Sequence, residues 1–271
     1  MLNRLPKFRG KIRLARILYS KKIAKSVDLM VDGKFGIRYK LPNIKETVGF
    51  SIFVNGIYEE DNIKFIIDRL PLNSILLDLG ANIGSISIPI AKLRKDITVI
   101  AVEASPRVFS YLKYNVEINE LADRFHLYNY ALTNRDNDSV KFFSPVEKFG
   151  KGSLSPVFTS DSETISTMTL DTILNDEKFS EIGFVKIDVE GYESLVFKGA
   201  NKLLTGIDSA DVLFEFADWA EDQAFDVNVG DSQKILLGHG YKLFIADSIS
   251  DLKELDSALT NGCHMLYASK K

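Results

Sequence analysis

The chain has one cysteine, Cys263, among its 271 residues. A single thiol excludes an internal disulfide and suits a reducing compartment, so a cytoplasmic location is expected. No apolar run approaches the roughly 20 residues that cross a bilayer as a helix. The three histidines, His126, His239 and His264, are scattered rather than spaced as ligands, and no metal is expected. Neither a G-x-G-x-x-G dinucleotide fingerprint nor a G-x-x-x-x-G-K-[ST] phosphate loop occurs. Acid is absent from residues 1–27, which carry nine bases: Arg4, Lys7, Arg9, Lys11, Arg13, Arg16, Lys21, Lys22 and Lys25. All 37 acids lie in the rest, so the body is acidic. That argues against a nucleic-acid substrate, which needs a broad basic surface.

What is present is a globular composition, 45% hydrophobic and 26% charged, long enough to bury a sizeable core. The organising stretch is Ser74–Gly84, SILLDLGANIG. Ile75-Leu76-Leu77 leads into Asp78, a small-residue turn carries Gly80, Asn82 and Gly84, and apolar Ile86–Leu93 follows. This is strand, glycine turn, helix, and in an open α/β sheet ligands bind at such turns. The next strand, Ile97–Val102, ends on Glu103, where a carboxylate suits a ribose diol. The glycine spacing is wrong for a pyrophosphate. A nucleoside ligand without one, such as S-adenosylmethionine (SAM), fits better.

In chain order, Leu5, Phe8, Ile12, Ala15, Tyr19 and Ile23 recur at helical steps beneath a basic polar face. Residues 1–55 read as a basic amphipathic extension, with 28–55 irregular or strand-like, and residues 56–271 as the main domain. Glu59–Leu70 is a helix. Ser105-Pro106 is an N-cap followed by proline at the first helical position, opening a helix to about Asn119. Phe125–Leu132 is a third strand, and 140–168 is an insertion of short strands and loops. Thr169-Leu170-Asp171 opens a short helix. Ile182–Val189 is a strand ending in KIDVEG, followed by a helix over Tyr192–Leu204. Val212–Phe216, Tyr241–Ala246 and Cys263–Ala268 are strands. The alternation implies a doubly wound, mostly parallel α/β sheet with an antiparallel hairpin at one edge.

DLGANIG (Asp78–Gly84), VEASPRVFSYLKYNVEIN (Val102–Asn119), Ala131-Leu132, TLD (Thr169–Asp171), KIDVEGYE (Lys186–Glu193), KGANKLL (Lys198–Leu204) and LFEF (Leu213–Phe216) occur in that order. Together they resemble the FkbM-type family of SAM-dependent methyltransferases. The resemblance covers about residues 74–216 and implies a seven-stranded sheet with one antiparallel strand. It also implies that Asp78, Gly80, Asn82 and Gly84 line the methionine end of SAM. Glu103 would bind the ribose, and Ala131 and Leu132 would lie near the adenine.

Methyl transfer to an alcohol needs a positioned base. Glu190 is the first candidate, with Asp188, Glu215 and Lys186 beside it at strand ends. The plainer reading is that Asp188 and Glu190 cap the helix at Tyr192. The acidic stretch Glu215–Glu221 carries Trp219, the only tryptophan, and suits either sugar stacking or a solvated loop. The expected activity is O-methylation of a hydroxyl on a small-molecule or glycan acceptor such as a sugar, glycolipid or natural product. Two alternatives stand beside it. One is a nicotinamide-dependent oxidoreductase, disfavoured by the missing fingerprint and because Tyr111 is followed four positions on by Asn115 rather than lysine. The other is a non-catalytic SAM-binding protein. The basic arm, residues 1–27, is expected either to pack on the domain or to touch an anionic membrane peripherally.

Overall fold

The computed structural model describes residues 10–175, 181–205, 209–248 and 251–271. Two short helices, α1 (Lys11–Leu18) and α2 (Ser20–Ala24), lead into a hairpin of β1 (Leu29–Asp32) and β2 (Arg38–Leu41). Then come α3 (Thr47–Asn55) and α4 (Glu60–Arg69). The α3 segment, TVGFSIFVN, reads as strand from its β-branched and aromatic residues, yet it is a helix. The Glu46 carboxylate accepts from the N–H groups of Val48 at 2.9 Å and Gly49 at 3.2 Å. Gly56 closes the far end at φ 76°. Burial of Val48, Phe50, Ile52 and Val54 then outweighs local preference.

Strands and helices next alternate: β3 (Ile75–Leu79), α5 (Ser87–Leu93), β4 (Thr98–Val102), α6 (Pro106–Ile118) and β5 (Phe125–Tyr128). The expected strand Phe125–Leu132 is divided. Asn129 bends the chain, its amide donating to the carbonyls of Glu103 at 2.8 Å and Ala104 at 3.0 Å. Beyond it β6 (Ala131–Leu132) joins β7 (Ser139–Phe142) and β8 (Glu163–Met168) in a separate three-stranded sheet. The chain continues through α7 (Leu170–Ile173), β9 (Ile182–Ile187), α8 (Glu193–Lys198) and α9 (Asn201–Thr205). It ends with β10 (Asp211–Ala217), α10 (Asp218–Gln223), α11 (Asp231–Gly238), β11 (Lys242–Ile245), β12 (Lys253–Leu255) and β13 (Cys263–Ser269). The single helix expected over Tyr192–Leu204 is two, because the Asp171 carboxylate caps a fresh start by accepting from Asn201 and Lys202 N–H at 3.1 and 3.0 Å.

The main sheet has eight strands in the order β12-β11-β13-β10-β9-β3-β4-β5. From β10 to β5 all neighbours are parallel. β13 runs antiparallel between β10 and β11, and β12 adds a short antiparallel edge to the seven expected strands. Side chains alternate between the faces. Leu76, Val99, Ala101, Phe184 and Leu213 face one apolar cluster, shared with α3–α6. Leu77, Leu79, Ile100, Val185 and Phe214 face the other, shared with α8, α9 and α11. The sequence boundary at 55/56 falls at the end of α3, whose buried residues belong to the first cluster together with Tyr39 and Leu41 of β2. Among the described residues no helix is long and apolar enough to cross a membrane.

Two asparagines, one on α6 and one at its C-terminal cap, hold the N-terminal segment to this frame. Asn115 and Asn119, one turn apart and fully or nearly buried, act as partners for the free edge of β2. Asn115 Oδ1 accepts from Lys40 N–H at 2.7 Å, and its Nδ2 donates to the carbonyls of Lys40 and Ile83 at 3.2 and 3.0 Å. Asn119 repeats the pattern with Arg38, at 2.9 and 2.7 Å. Asn115→Ala strips three backbone groups, the N–H and carbonyl of Lys40 and the buried carbonyl of Ile83, of their partners. It should cost about 3 kcal/mol, read as a shift in urea-unfolding midpoint at unchanged slope.

Candidate active site

Parity along the strands assembles the site. Asp78 of β3 is the register partner of Lys186 of β9, so both side chains leave the sheet on the same face. Leu213 is the partner of Lys186, which sends Glu215, two residues on, to that face as well. Asp78 is 1% exposed and, among the described residues, neither of its oxygens has a hydrogen-bond partner. Its compensation is Lys186 Nζ at 3.8 Å. The same ammonium donates to the Gly80 carbonyl at 3.3 Å and lies 3.5 Å from Asp188. Burial pulls the Lys186 pKa down, but the carboxylates of Asp188, Asp78 and Glu59 outweigh it and the net shift is upward. Lys186 is therefore a fixed positive charge.

The glycine turn is tied to the next strand by Glu103. Its Oε2 accepts from Asn82 N–H at 2.9 Å and Oε1 from Ser105 N–H at 2.8 Å. Burial pushes its carboxyl up to about 7 despite those bonds. Gly80 stands at φ 80°, and a Cβ there would come within 1.9 Å of the Asp188 carbonyl. The missing side chain thus makes room for the neighbouring strand end rather than for a ligand. Ser105 caps α6 as expected, accepting from Val108 N–H at 3.4 Å.

Past β9 the chain turns through Glu190, a non-glycine residue at φ 53°. Among the described residues no side chain caps α8, so capping falls to neither Asp188 nor Glu190. Glu193 instead braces the turn before the helix, with Oε1 accepting from Val189 N–H at 3.1 Å and Gly191 N–H at 3.4 Å. Glu190 is left facing the site. Its Oε1 accepts from Lys151 Nζ at 2.7 Å, while Oε2 is buried without a partner among the described residues. Burial and the nearby Asp188 raise its carboxyl to about 7. Glu215 is raised too, by burial and Asp188. For Lys151 burial acts downward, and Glu190, Asp188 and Glu215 reverse it, so the ammonium stays charged.

These groups meet in a cavity of about 410 Å³ at the carboxyl ends of β3, β4, β9 and β10. Of the residues singled out in the sequence, Gly80, Asn82, Glu103, Ala131, Leu132, Lys186, Asp188, Glu190 and Glu215 line it. Asp78 and Gly84 do not. Asp78 lies behind the wall, held against Lys186, and a Cβ on Gly84 would meet the Ile88 side chain at 2.5 Å. From the sequence, residues 1–60, 144–165 and 217–232 are expected to wall the acceptor pocket; the first supplies Glu46, Tyr58 and Glu59 and the second Lys148, Phe149, Lys151 and Phe158, none of them singled out individually, while residues 217–232 do not line the cavity. The Tyr58 hydroxyl is kept neutral by burial and by the charges of Glu59, Asp188 and Glu46. Trp219 is off the wall and packs edge-on to Phe158 at 5.8 Å. Glu221 is fully buried and structural, accepting from Gly230 N–H at 2.7 Å and the Ser232 hydroxyl at 2.6 Å. Among the described residues no group of three or more His, Cys, Asp or Glu is placed to hold a metal ion.

A strand-end glycine turn, an acidic end on the next strand and a carboxylate-walled cavity define a site class, and the sequence carries its signature. The family model of the Methyltransferase FkbM domain matches residues 78–243, more than half of the chain. The chain belongs to the FkbM methyltransferase family. It is 27% identical over 149 residues to the hexuronic acid methyltransferase AglP of Haloferax volcanii, covering 55% of this chain and 59% of that one. It is 29% identical over 110 residues to a tRNA (guanine(37)-N(1))-methyltransferase of Leishmania major, covering 39% of this chain and 16% of that one. It thus spans less than two thirds of the length of either curated relative. Among solved structures, the FkbM methyltransferase of Methylobacillus flagellatus is 15% identical with a TM-score of 0.45, covering 73% of this chain and 44% of that one. The precorrin-6y C5,15-methyltransferase of Geobacter metallireducens is 13% identical at 0.46, over 79% and 92%.

The buried carboxyls set a pH dependence for the stability of this chain. Glu103 and Glu190 at about 7 and Glu193 at about 8 all lie above the ordinary 4.5. Between those limits the folded state binds more protons than the unfolded state, so stability falls as pH rises. Melting temperature without ligand should drop from pH 5 to about pH 8. A flat or rising profile would contradict the burial of these groups.

Proposed function

We propose that this chain is a SAM-dependent O-methyltransferase acting on a hydroxyl of a sugar-type acceptor, with Glu190 as the base. The observation that carries the reading is the Glu190 carboxyl. It is buried at the cavity wall with one oxygen anchored by Lys151, the other unpartnered, and a pKa near neutrality. Family membership supports methyl transfer. AglP, named as acting on a hexuronic acid, supports the sugar class. Relatives named for tRNA raise a nucleic-acid acceptor, but the wall sets Glu46, Glu59, Glu103, Asp188, Glu190 and Glu215 against Lys45, Lys148, Lys151 and Lys186, an acidic balance that disfavours phosphate.

The donor set suits the cofactor. SAM, when bound, supplies a methyl group on a cationic sulfonium, which leaves as a neutral thioether once an oxygen takes the methyl. Carboxylates facing the cavity complement that cation and an amino group. In this reading the outward lone pairs of Glu103 hold the ribose hydroxyls, Asn82 and Gly80 border the methionine portion, and Ala131 and Leu132 give the adenine an apolar wall. Glu190 Oε2 accepts the acceptor's hydroxyl proton as the new O–C bond forms. Lys151 Nζ holds the carboxylate in one rotamer through Oε1. Asp188 is engaged by the Lys186 ammonium at 3.5 Å, and the proton is taken by Glu190.

Glu190→Gln should lower turnover of radiolabelled SAM by roughly 10²–10⁴-fold while SAM affinity by calorimetry stays within a few fold. In the wild type, kcat/KM should fall on the acid side of about 7, the Glu190 value, and the variant should lose that limb. Near-normal turnover would remove the base role. Glu103→Ala should weaken SAM binding by roughly 1–3 kcal/mol, and unchanged affinity would remove it from the cofactor site. The acceptor class is read from a panel of neutral and uronic-acid glycosides beside tRNA. Methylation of tRNA alone would replace the sugar reading.

A further inference from the structure

Helix α1 has two apolar faces, and the fold uses one. Ala15 is fully buried, and the next positions of the same pattern, Tyr19 and Ile23, pack onto the domain. The Tyr19 ring stands edge-on to Phe53 at 5.1 Å. This is the face that hydrophobic periodicity reveals. The second face is Leu14, Ile17 and Leu18, an i, i+3, i+4 stripe with exposures of 42%, 70% and 63%. Three adjacent large aliphatic side chains in water on one helix face are unlike the scattered exposed residues of an ordinary surface.

The charge around that stripe is of one sign. Arg13, Lys21 and Lys25 are exposed on α1, α2 and the turn after it. Arg16 and Lys22 lie over the rings of Phe50 and Phe53 at 4.7 and 4.8 Å, which fixes two more cations beside it. Residues 10–27 hold no acid, and Asp28, the first one, is engaged by the Tyr111 hydroxyl and by Lys40 at 3.8 Å. The formal net charge of the chain is −3, so this patch runs against the character of the molecule.

We propose that the outward face of α1 docks on an anionic lipid surface, with Leu14, Ile17 and Leu18 entering the headgroup boundary and Arg13, Lys21 and Lys25 meeting the lipid charge. An aliphatic stripe flanked by flexible cations is the pattern of an in-plane interfacial helix. Charge excludes the simplest alternative. A second copy using the same patch would set cations against cations, since a two-fold interface is self-complementary. The placement also has a consequence for the cavity. α3 carries both Phe50, beneath Arg16, and the cavity-wall residues Thr47 and Val48, so lipid-docked α1 lies one helix from the site. The inference stands on this surface alone and does not need the sugar reading.

The full chain is sedimented with phosphatidylcholine vesicles, with and without phosphatidylglycerol, at low and high salt. Binding is expected only with phosphatidylglycerol and is expected to fade at high salt. Lys21→Gln and Lys25→Gln should each weaken it about fivefold. The triple variant L14S/I17S/L18S should weaken it severalfold more, with thermal melting and calorimetric SAM binding unchanged because none of the three is buried. Three results overturn the proposal. One is no binding to phosphatidylglycerol vesicles. Another is equal binding by the triple variant. The third is a concentration-dependent dimer, in light scattering, that the triple variant loses while vesicles fail to bind.

Discussion

A buried lysine shared between two parallel strands holds this site together. Lys186 on β9 sits opposite Asp78 on β3, with the ammonium between that carboxylate, the Gly80 carbonyl and Asp188. Removing either member of such a pair strands a charge in low dielectric, which is far more costly than never having buried it. The glycine turn leaves β3 over this ion pair, and the KIDVEG turn leaves β9 beside it. Two motifs more than a hundred residues apart are thereby held at a defined spacing. The close approach of Gly80 to the Asp188 carbonyl is the steric side of the same constraint.

Around that positive centre the protein collects carboxylates and keeps them unequal. Glu103 is satisfied by two backbone N–H groups, and Glu193 is spent on the turn after β9. Among the described residues Glu190 keeps one buried oxygen unpartnered while its other oxygen is anchored by Lys151. Its left-handed backbone is the kind of local strain that persists where surrounding structure dictates it. Different surroundings therefore divide the labour among groups of one chemistry, as burial and neighbouring charge do in acid–base sites generally.

The N-terminal segment is part of the same construction. Asn115 and Asn119 stand in for a neighbouring strand along β2, and α3 places Glu46, Thr47 and Val48 at the cavity. The loop after β7 brings Lys151 and Phe158 to the same wall, its Gly150 lying against Glu46 and Val48. The N-terminal segment precedes the region where the family motifs fall and the loop falls between two of them, Ala131-Leu132 and Thr169–Asp171, yet both border the cavity in which those motifs meet.

The doubly wound sheet, the glycine turn, the acidic end of β4 and the carboxylates after β9 and β10 were legible in the sequence. Each is a local pattern: an apolar strand period, a turn needing positive φ, a polar residue where a strand stops. Tertiary structure decided the rest. TVGFSIFVN is helix because burial outweighed its strand preference, and Phe125–Leu132 is two strands because Asn129 is held by the carbonyls of Glu103 and Ala104. Glu193, not Asp188 or Glu190, came to brace the turn after β9, and Lys151 joined Glu190 across 39 residues. Asp78, first in the motif, went behind the wall because its register partner is a lysine on the same face. Local patterns follow from bonds between near neighbours in the chain. Partnerships between distant side chains depend on strand register and packing, and those exist only once the chain has folded.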